Sequence, residues 1–123
     1  MNAPPTDFIR SPSARLGRDS ALDSQWAALN DAAAAVATLA GLAAERPDAR
    51  MRNFPALIND VGGWRLDLAT NGVTDLSAMM RPGLRALVAV SERGQDPTPA
   101  AVALWREFHH ARAALLALLP HPD

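Results

Sequence analysis

Apolar residues recur three or four positions apart along most of the chain, the spacing that places side chains on one face of an α-helix. The longest such stretch runs from about Asp19 to Ala44 and is dominated by alanine, the strongest helix former. Its buried face is predicted to comprise Leu22, Trp26, Leu29, Ala33, Ala37 and Ala40. Because no stretch alternates convincingly between apolar and polar residues, we predict an all-α protein.

A second helix is predicted after Pro47, ending at Asn71–Gly72, since asparagine and glycine favour helix C-termini. Pro55 lies inside this stretch and cannot donate to the helical hydrogen-bond ladder, so the helix either begins near Asn53 or kinks there. The apolar face of this helix would be formed by Phe54, Leu57, Ile58, Val61, Trp64 and Leu68.

A third helix is predicted from Thr74 to Gly94, interrupted by Pro82–Gly83. Pro82 falls on the outer side, where a kink is easiest to tolerate, whereas Gly83 falls on the inner side and would let another backbone come close. Its apolar face would be formed by Val73, Leu76, Met80, Gly83, Leu84, Leu87 and Ser91.

The fourth helix has the clearest start, because Thr98 can cap it and Pro99 occupies the first helical position, where its missing N–H costs nothing. It is predicted to end at Leu119, before Pro120. The inward stripe would be formed by Ala101, Leu104, Trp105, Phe108, Ala111, Leu115 and Leu119.

Short connections between long helices favour antiparallel neighbours. We therefore predict one up-and-down four-helix bundle over residues 19–120, with kinks in its second and third helices. Residues 1–18 contain three prolines and few apolar residues, which predicts a disordered, flexible N-terminal arm.

Composition excludes several kinds of chemistry. The chain has no cysteine, which rules out disulfides, zinc–cysteine sites and thiol catalysis. All 12 basic residues are arginine, so no lysine can form a Schiff base or a phosphate loop. The net charge of −1 lacks the basic surplus of a nucleic-acid-binding protein. No segment predicts a secretory signal or a membrane span, so we expect a cytoplasmic protein. No motif predicts a cofactor, so we expect none.

Arg112 falls within the inward stripe of the fourth helix, close to Trp105. A buried guanidinium needs a partner, and Asp60 and Asp67 lie beside Trp64 at the edge of the second helix's apolar face. We therefore predict an ion pair between Arg112 and one of these aspartates. The pair either fixes helix register, which we favour, or forms half of a pocket for an anionic or amide ligand. That pocket would be lined by Asp60, Trp64, Asp67, Trp105 and Arg112. The charged groups could also face a partner at the surface.

Gly62–Gly63 lies in the middle of the second predicted helix, where each glycine costs roughly 1 kcal/mol relative to alanine. We expect close packing against the alanine-rich first helix to explain it. The alternatives are a hinge or the approach of a ligand to bare backbone.

Two histidines in the fourth helix carry a third hypothesis. Glu107 and His110 have the Glu-x-x-His spacing of di-iron bundles, but the chain has only three glutamates and no second pair. His109 lies at the edge of the apolar stripe. A histidine phosphorelay or metal-binding bundle through His109 and His110 therefore stays open, without a predicted metal ligand set.

The first helix has a second apolar side, formed by Ala35, Leu39 and Leu42. Either this helix is central in the bundle, or these residues form an interface for a homo-oligomer or a protein partner. No catalytic constellation is present, so we do not predict an enzyme. The leading prediction is a small interaction or regulatory module, and the alternatives are the polar ligand pocket and the histidine site.

Overall fold

The computed structural model describes the backbone of residues 3–120 and the side chains of residues 21–120. Five helices span this part: α1 (Ala3–Leu39), α2 (Ala49–Arg52), α3 (Phe54–Val61), α4 (Gly63–Glu92) and α5 (Thr98–Leu116). No strand occurs between residues 3 and 120, which confirms the all-α class. The predicted arm, residues 1–18, lies outside the described side chains, so the division into arm and domain stays a prediction.

Three long helices form the body of the fold. Helices α1, α4 and α5 pack against one another, and the short α3 packs against α1 and α4. All six residues predicted for the buried face of the first helix are buried, together with Val36. No helix between residues 3 and 120 combines the length and hydropathy needed to cross a bilayer.

Between residues 3 and 120 the structure has five helices rather than the predicted four, and the boundaries differ at several places, one of which bears on the candidate site. Helix α4 runs without interruption through the predicted stop at Asn71–Gly72, and the break lies instead at Gly62–Gly63. Both of these glycines have positive φ, 65° and 60°, a conformation that L side chains rarely adopt. A Cβ at Gly63 would meet no atom within 4 Å, so close packing does not explain these glycines.

Replacing Gly62 with alanine should therefore destabilise the fold by roughly 1–3 kcal/mol, although alanine is the better helix former. The reason is that φ 65° and ψ −163° lie in a region almost restricted to glycine. Urea unfolding followed by circular dichroism measures the change. A more stable Gly62→Ala protein would instead indicate that the glycine sits in an ordinary helical conformation.

Two other glycines set the distance between α4 and α5. A Cβ on Gly72 would lie 2.5 Å from Cδ2 of Leu115, and one on Gly83 would lie 2.7 Å from Cδ2 of Leu104. Because residue numbers rise along α4 as they fall along α5, the two helices are antiparallel. Gly83 thus admits a close neighbour as expected, but that neighbour is a leucine side chain rather than a backbone.

The two interior prolines behave differently. The helix restarts at Asn53, so that Pro55 lies in the first turn of α3, one of the two arrangements expected for it. Pro82 lies inside α4 on an exposed position, and the predicted kink there stays a prediction.

The N-terminus of α5 is capped by Asp96, which lies two residues before Thr98, the first residue of the helix. The side chain of Asp96 accepts a hydrogen bond from Thr98 N at 3.0 Å, so the cap is not the predicted Thr98 hydroxyl. Hydrogen bonds from the Thr98 side chain, and then from its backbone N–H, lower the pKa of the Asp96 carboxyl below its ordinary 3.8.

The stability that Asp96 contributes should therefore be present above its ordinary pKa and disappear as the pH falls through the lowered value. We expect Asp96→Asn to be less stable than the wild type near neutral pH, and the difference to shrink as the pH falls below about 4. Urea titrations of both proteins at several pH values test this. A difference that does not depend on pH would contradict it.

Candidate ligand pocket beside Arg112

Arg112 is the only charged side chain buried among residues 21–120, with 2% of its surface exposed. Its Nη1 donates to Oδ1 of Asn30 at 2.7 Å, and its Nη2 forms an ion pair with Oε2 of Glu45. The guanidinium carbon also lies 4.6 Å from the ring centre of Phe108 and 5.8 Å from that of Trp105. The buried charge is therefore both paired and covered by aromatic faces.

Helix geometry accounts for most of this arrangement. Phe108 precedes Arg112 by one turn of α5 and Trp105 by two, so all three lie on neighbouring parts of one face. On α1, the Nδ2 of Asn30 donates to the carbonyl of Trp26 at 2.8 Å, which leaves its Oδ1 to accept from Arg112. Contacts from α1 and α5 therefore hold the guanidinium in place independently of its carboxylate partner.

Glu45 comes from the irregular segment between α1 and α2. Gly41, at φ 74°, ends α1 in a Schellman-type turn in which Leu42 N donates to the carbonyl of Ala37 at 2.9 Å. The chain then reverses along α1. Within the described chain, the backbone of residues 43–46 makes no hydrogen bond to another backbone group. The side chain of Glu45, 33% exposed, therefore connects this loop to Arg112 on α5.

A pocket of about 440 Å³ lies between α1, this loop, α2 and Trp105. We call it the α1–loop pocket. Asn30 and Glu45, the two partners of Arg112, both line it, and its walls include Trp26 and Met51. The indole Nε1 of Trp26 donates to the carbonyl of Met51 at 2.8 Å, which holds the two walls together. Its size and mainly apolar walls are those of a small-molecule site.

The charges around the α1–loop pocket are unevenly placed. The carboxylates of Asp23, Asp31 and Glu45 line it, against the guanidinium of Arg52. Nη1 of Arg52 donates to the carbonyl of Pro47 at 2.6 Å, so this arginine supports the loop. Asp23 and Asp31 are exposed positions of α1, which places negative charge at the rim.

The structure brings together two of the five residues predicted for the ligand site, Trp105 and Arg112. The other three lie elsewhere: Asp60 and Asp67 line a separate cleft between α1, α3 and α4, and Trp64 is 63% exposed. The predicted pairing of Arg112 with Asp60 or Asp67 is therefore wrong. The break at Gly62–Gly63 is the reason, because it ends the helical register that placed these residues on one face.

Asn30 and Glu45 were not predicted as partners of Arg112, for different reasons. Asn30 lies one turn from Trp26 at the edge of the predicted face. A polar side chain at the edge of the core could have indicated a hydrogen-bond partner for Arg112. Glu45 follows directly after the stretch that was predicted to be helical as far as Ala44. Gly41 is the residue that could have indicated the earlier end of α1.

The two histidines are exposed on the surface of α5. The ring of His109 stacks on Trp105 with ring centres 5.9 Å apart. Among the described residues, no group of three or more histidines and carboxylates is placed to hold a metal ion. A phosphorelay or metal role for His109 and His110 stays a prediction.

The three residues predicted for an interface have different surroundings. Ala35 is exposed, Leu39 packs against the core, and Leu42 is 41% exposed and lines the α1–loop pocket. Their use as an interface stays a prediction.

Comparison with known proteins gives no relative: no family model, no curated protein and no solved structure matches this chain. The geometry of the α1–loop pocket is therefore the observation that bears on function.

Proposed function

We propose that the protein is a small-ligand-binding helical domain and that the α1–loop pocket is its binding site. The observation that carries this proposal is an apolar-walled pocket of about 440 Å³ lined by Asn30 and Glu45, the partners of the buried Arg112. Mostly apolar walls with a few fixed polar groups are typical of ligand sites. The indole of Trp105 provides a flat surface at one side of the pocket.

A filling substitution tests the site without removing any of its polar contacts. Ala34 is an exposed residue of α1 that lines the pocket, and its neighbour Ala35 is exposed but does not line it. We expect the neutral fluorophore N-phenyl-1-naphthylamine to bind the wild type and Ala35→Phe alike. Binding to Ala34→Phe should be lost, because the added ring occupies the pocket.

The same measurement can refute the proposal. Fluorescence titration of the three proteins gives the dissociation constants, and circular dichroism confirms that each is folded. Equal binding by Ala34→Phe and Ala35→Phe, or none by the wild type, would mean that the α1–loop pocket is not a binding site.

The second candidate function is the interaction module favoured by the sequence. Its support is the surface of α4, where Trp64 is 63% and Leu68 is 51% exposed one helical turn apart. Arg65 lies over the Trp64 ring at 5.1 Å from its centre. Light scattering coupled to size exclusion tests self-association through this surface. A dimeric wild type and a folded, monomeric Trp64→Ser/Leu68→Ser variant would support it. A monomeric wild type would contradict it.

A further inference from the structure

We propose that the ligand of the α1–loop pocket carries a carboxylate group, which takes the place of the Glu45 side chain on the guanidinium of Arg112. This inference depends on the proposed ligand-binding function and adds the chemical class of the ligand. In the structure described here, Glu45 would then be an internal occupant of the ligand's own anion site.

The helices hold Arg112 in place independently of Glu45. Asn30 on α1 accepts from Nη1, and Phe108 and Trp105 on α5 cover the guanidinium. A guanidinium presents its N–H groups in a rigid planar fork that suits a carboxylate. With Nη1 committed to Asn30, Nη2 is the donor directed at the acid.

Glu45 is held less firmly than the groups around it. Within residues 3–120, the backbone of residues 43–46 forms no hydrogen bond with another backbone group, and every residue from Gly41 to Ala49 is exposed. Because the Glu45 side chain is the loop's tie to Arg112, its withdrawal requires no helix to move. Glu45 and Asn30 both line the pocket, so withdrawal would open Nη2 towards it.

The rest of the pocket lining determines which ligand body fits beside the carboxylate. Trp26, Met51 and Trp105 offer apolar and aromatic surface for a hydrocarbon or aromatic body. The rim carboxylates of Asp23 and Asp31 would repel a second negative group on the ligand. The pocket therefore suits a monocarboxylic acid with an apolar body.

Competition between Glu45 and the ligand gives a measurable consequence. Wild-type Arg112 is available only in the fraction of molecules whose Glu45 has withdrawn, and the apparent affinity is reduced by that fraction. Removing Glu45 should therefore tighten carboxylate binding, by at least about tenfold. A neutral ligand of the same shape should gain nothing.

The test uses 4-phenylbutyrate and its neutral analogue 4-phenylbutanamide, with binding measured by calorimetry. We expect 4-phenylbutyrate to bind Glu45→Ala at least about tenfold more tightly than the wild type, and the amide to bind both equally. Glu107→Ala removes an exposed glutamate of α5 and should behave as the wild type. Glu45→Ala/Arg112→Met should lose the preference for the acid, and Glu45→Gln serves in place of Glu45→Ala if the latter does not fold.

Acetate provides a second measurement, because it has the same heavy atoms as the part of Glu45 that alanine lacks. Sodium acetate should raise the melting temperature of Glu45→Ala well beyond the effect of sodium chloride at equal ionic strength. The wild type and Glu107→Ala should show a much smaller difference between the two salts.

Two results would overturn the inference. One is equal affinity of 4-phenylbutyrate for the wild type and Glu45→Ala, and the other is an acetate effect that is the same in both. If N-phenyl-1-naphthylamine still binds in the pocket, the proposed function stands and only the ligand class is wrong. If it does not bind, both fail.

Discussion

Replacing Glu45 with alanine is expected to lower the free energy of unfolding by about 2–4 kcal/mol. Arg112 is 2% exposed, and Glu45 is the acidic group that neutralises it. Its loss would leave a buried positive charge without a counter-ion, which is among the most costly single changes in a folded protein. The effect should stay below that of a fully buried pair, because a third of the Glu45 side chain is open to solvent.

Urea unfolding of Glu45→Ala measures this loss, and Glu107→Ala is the control for removing a glutamate from the surface. Arg112→Met should cost less than Glu45→Ala, because it removes the buried charge together with the need for a partner. A Glu45→Ala protein as stable as Glu107→Ala would mean that Arg112 is not buried as a charged group in solution.

Replacing Phe108 with alanine is the second large effect, with an expected loss of about 3–5 kcal/mol. The Phe108 side chain is fully buried in α5, so its removal leaves a cavity in the core. It also removes the aromatic face 4.6 Å from the Arg112 guanidinium and a ring 5.5 Å from Trp105. The packing of the core and the cover of the buried charge are therefore lost together.

Phe108→Leu separates these two contributions. Leucine keeps much of the volume but has no ring face for the guanidinium, so we expect a smaller loss, of about 1–2 kcal/mol. A double-mutant cycle with Arg112→Met measures the coupling. If Phe108→Leu costs as much with Arg112 as with methionine at that position, the ring contributes packing alone.

The hydrophobic pattern predicted the buried face of α1 because one strong periodicity runs through a stretch of good helix formers. Trp26, Leu29 and Ala33 lie where the three-four spacing placed them, in the core. The pattern was weaker around Trp64 and Leu68, which are exposed although they continue the spacing of Ile58. Periodicity alone does not show where a helix is interrupted and its phase reset.

Glycines caused two of the errors in the predicted helix boundaries. Asn71–Gly72 resembles a helix stop, yet Gly72 is helical and is small because Leu115 packs on it. Gly62–Gly63 resembles a packing contact, yet it has positive φ and open surroundings. The sequence shows that a residue is glycine but not whether backbone conformation or a neighbouring side chain requires it.

The buried arginine of the candidate site could be predicted from the sequence, but its acidic partner could not. Arg112 lies on the inward stripe of a regular helix, so its position followed from periodicity. Its carboxylate partner did not, because Glu45 lies in a segment without regular structure that reverses after Gly41. The position of such a residue depends on tertiary contacts, which no local pattern records.

The matched contacts between α4 and α5 also constrain how the sequence can change over time. Gly72 receives Leu115, and Gly83 receives Leu104, at the same spacing along both helices. A larger residue at either glycine requires the opposing leucine to change its side-chain conformation or to become smaller, because its Cδ2 is the atom that must move. Homologous sequences with a larger residue at either glycine should therefore more often have a smaller residue at the opposing position, which would leave the packing of α4 against α5 unchanged.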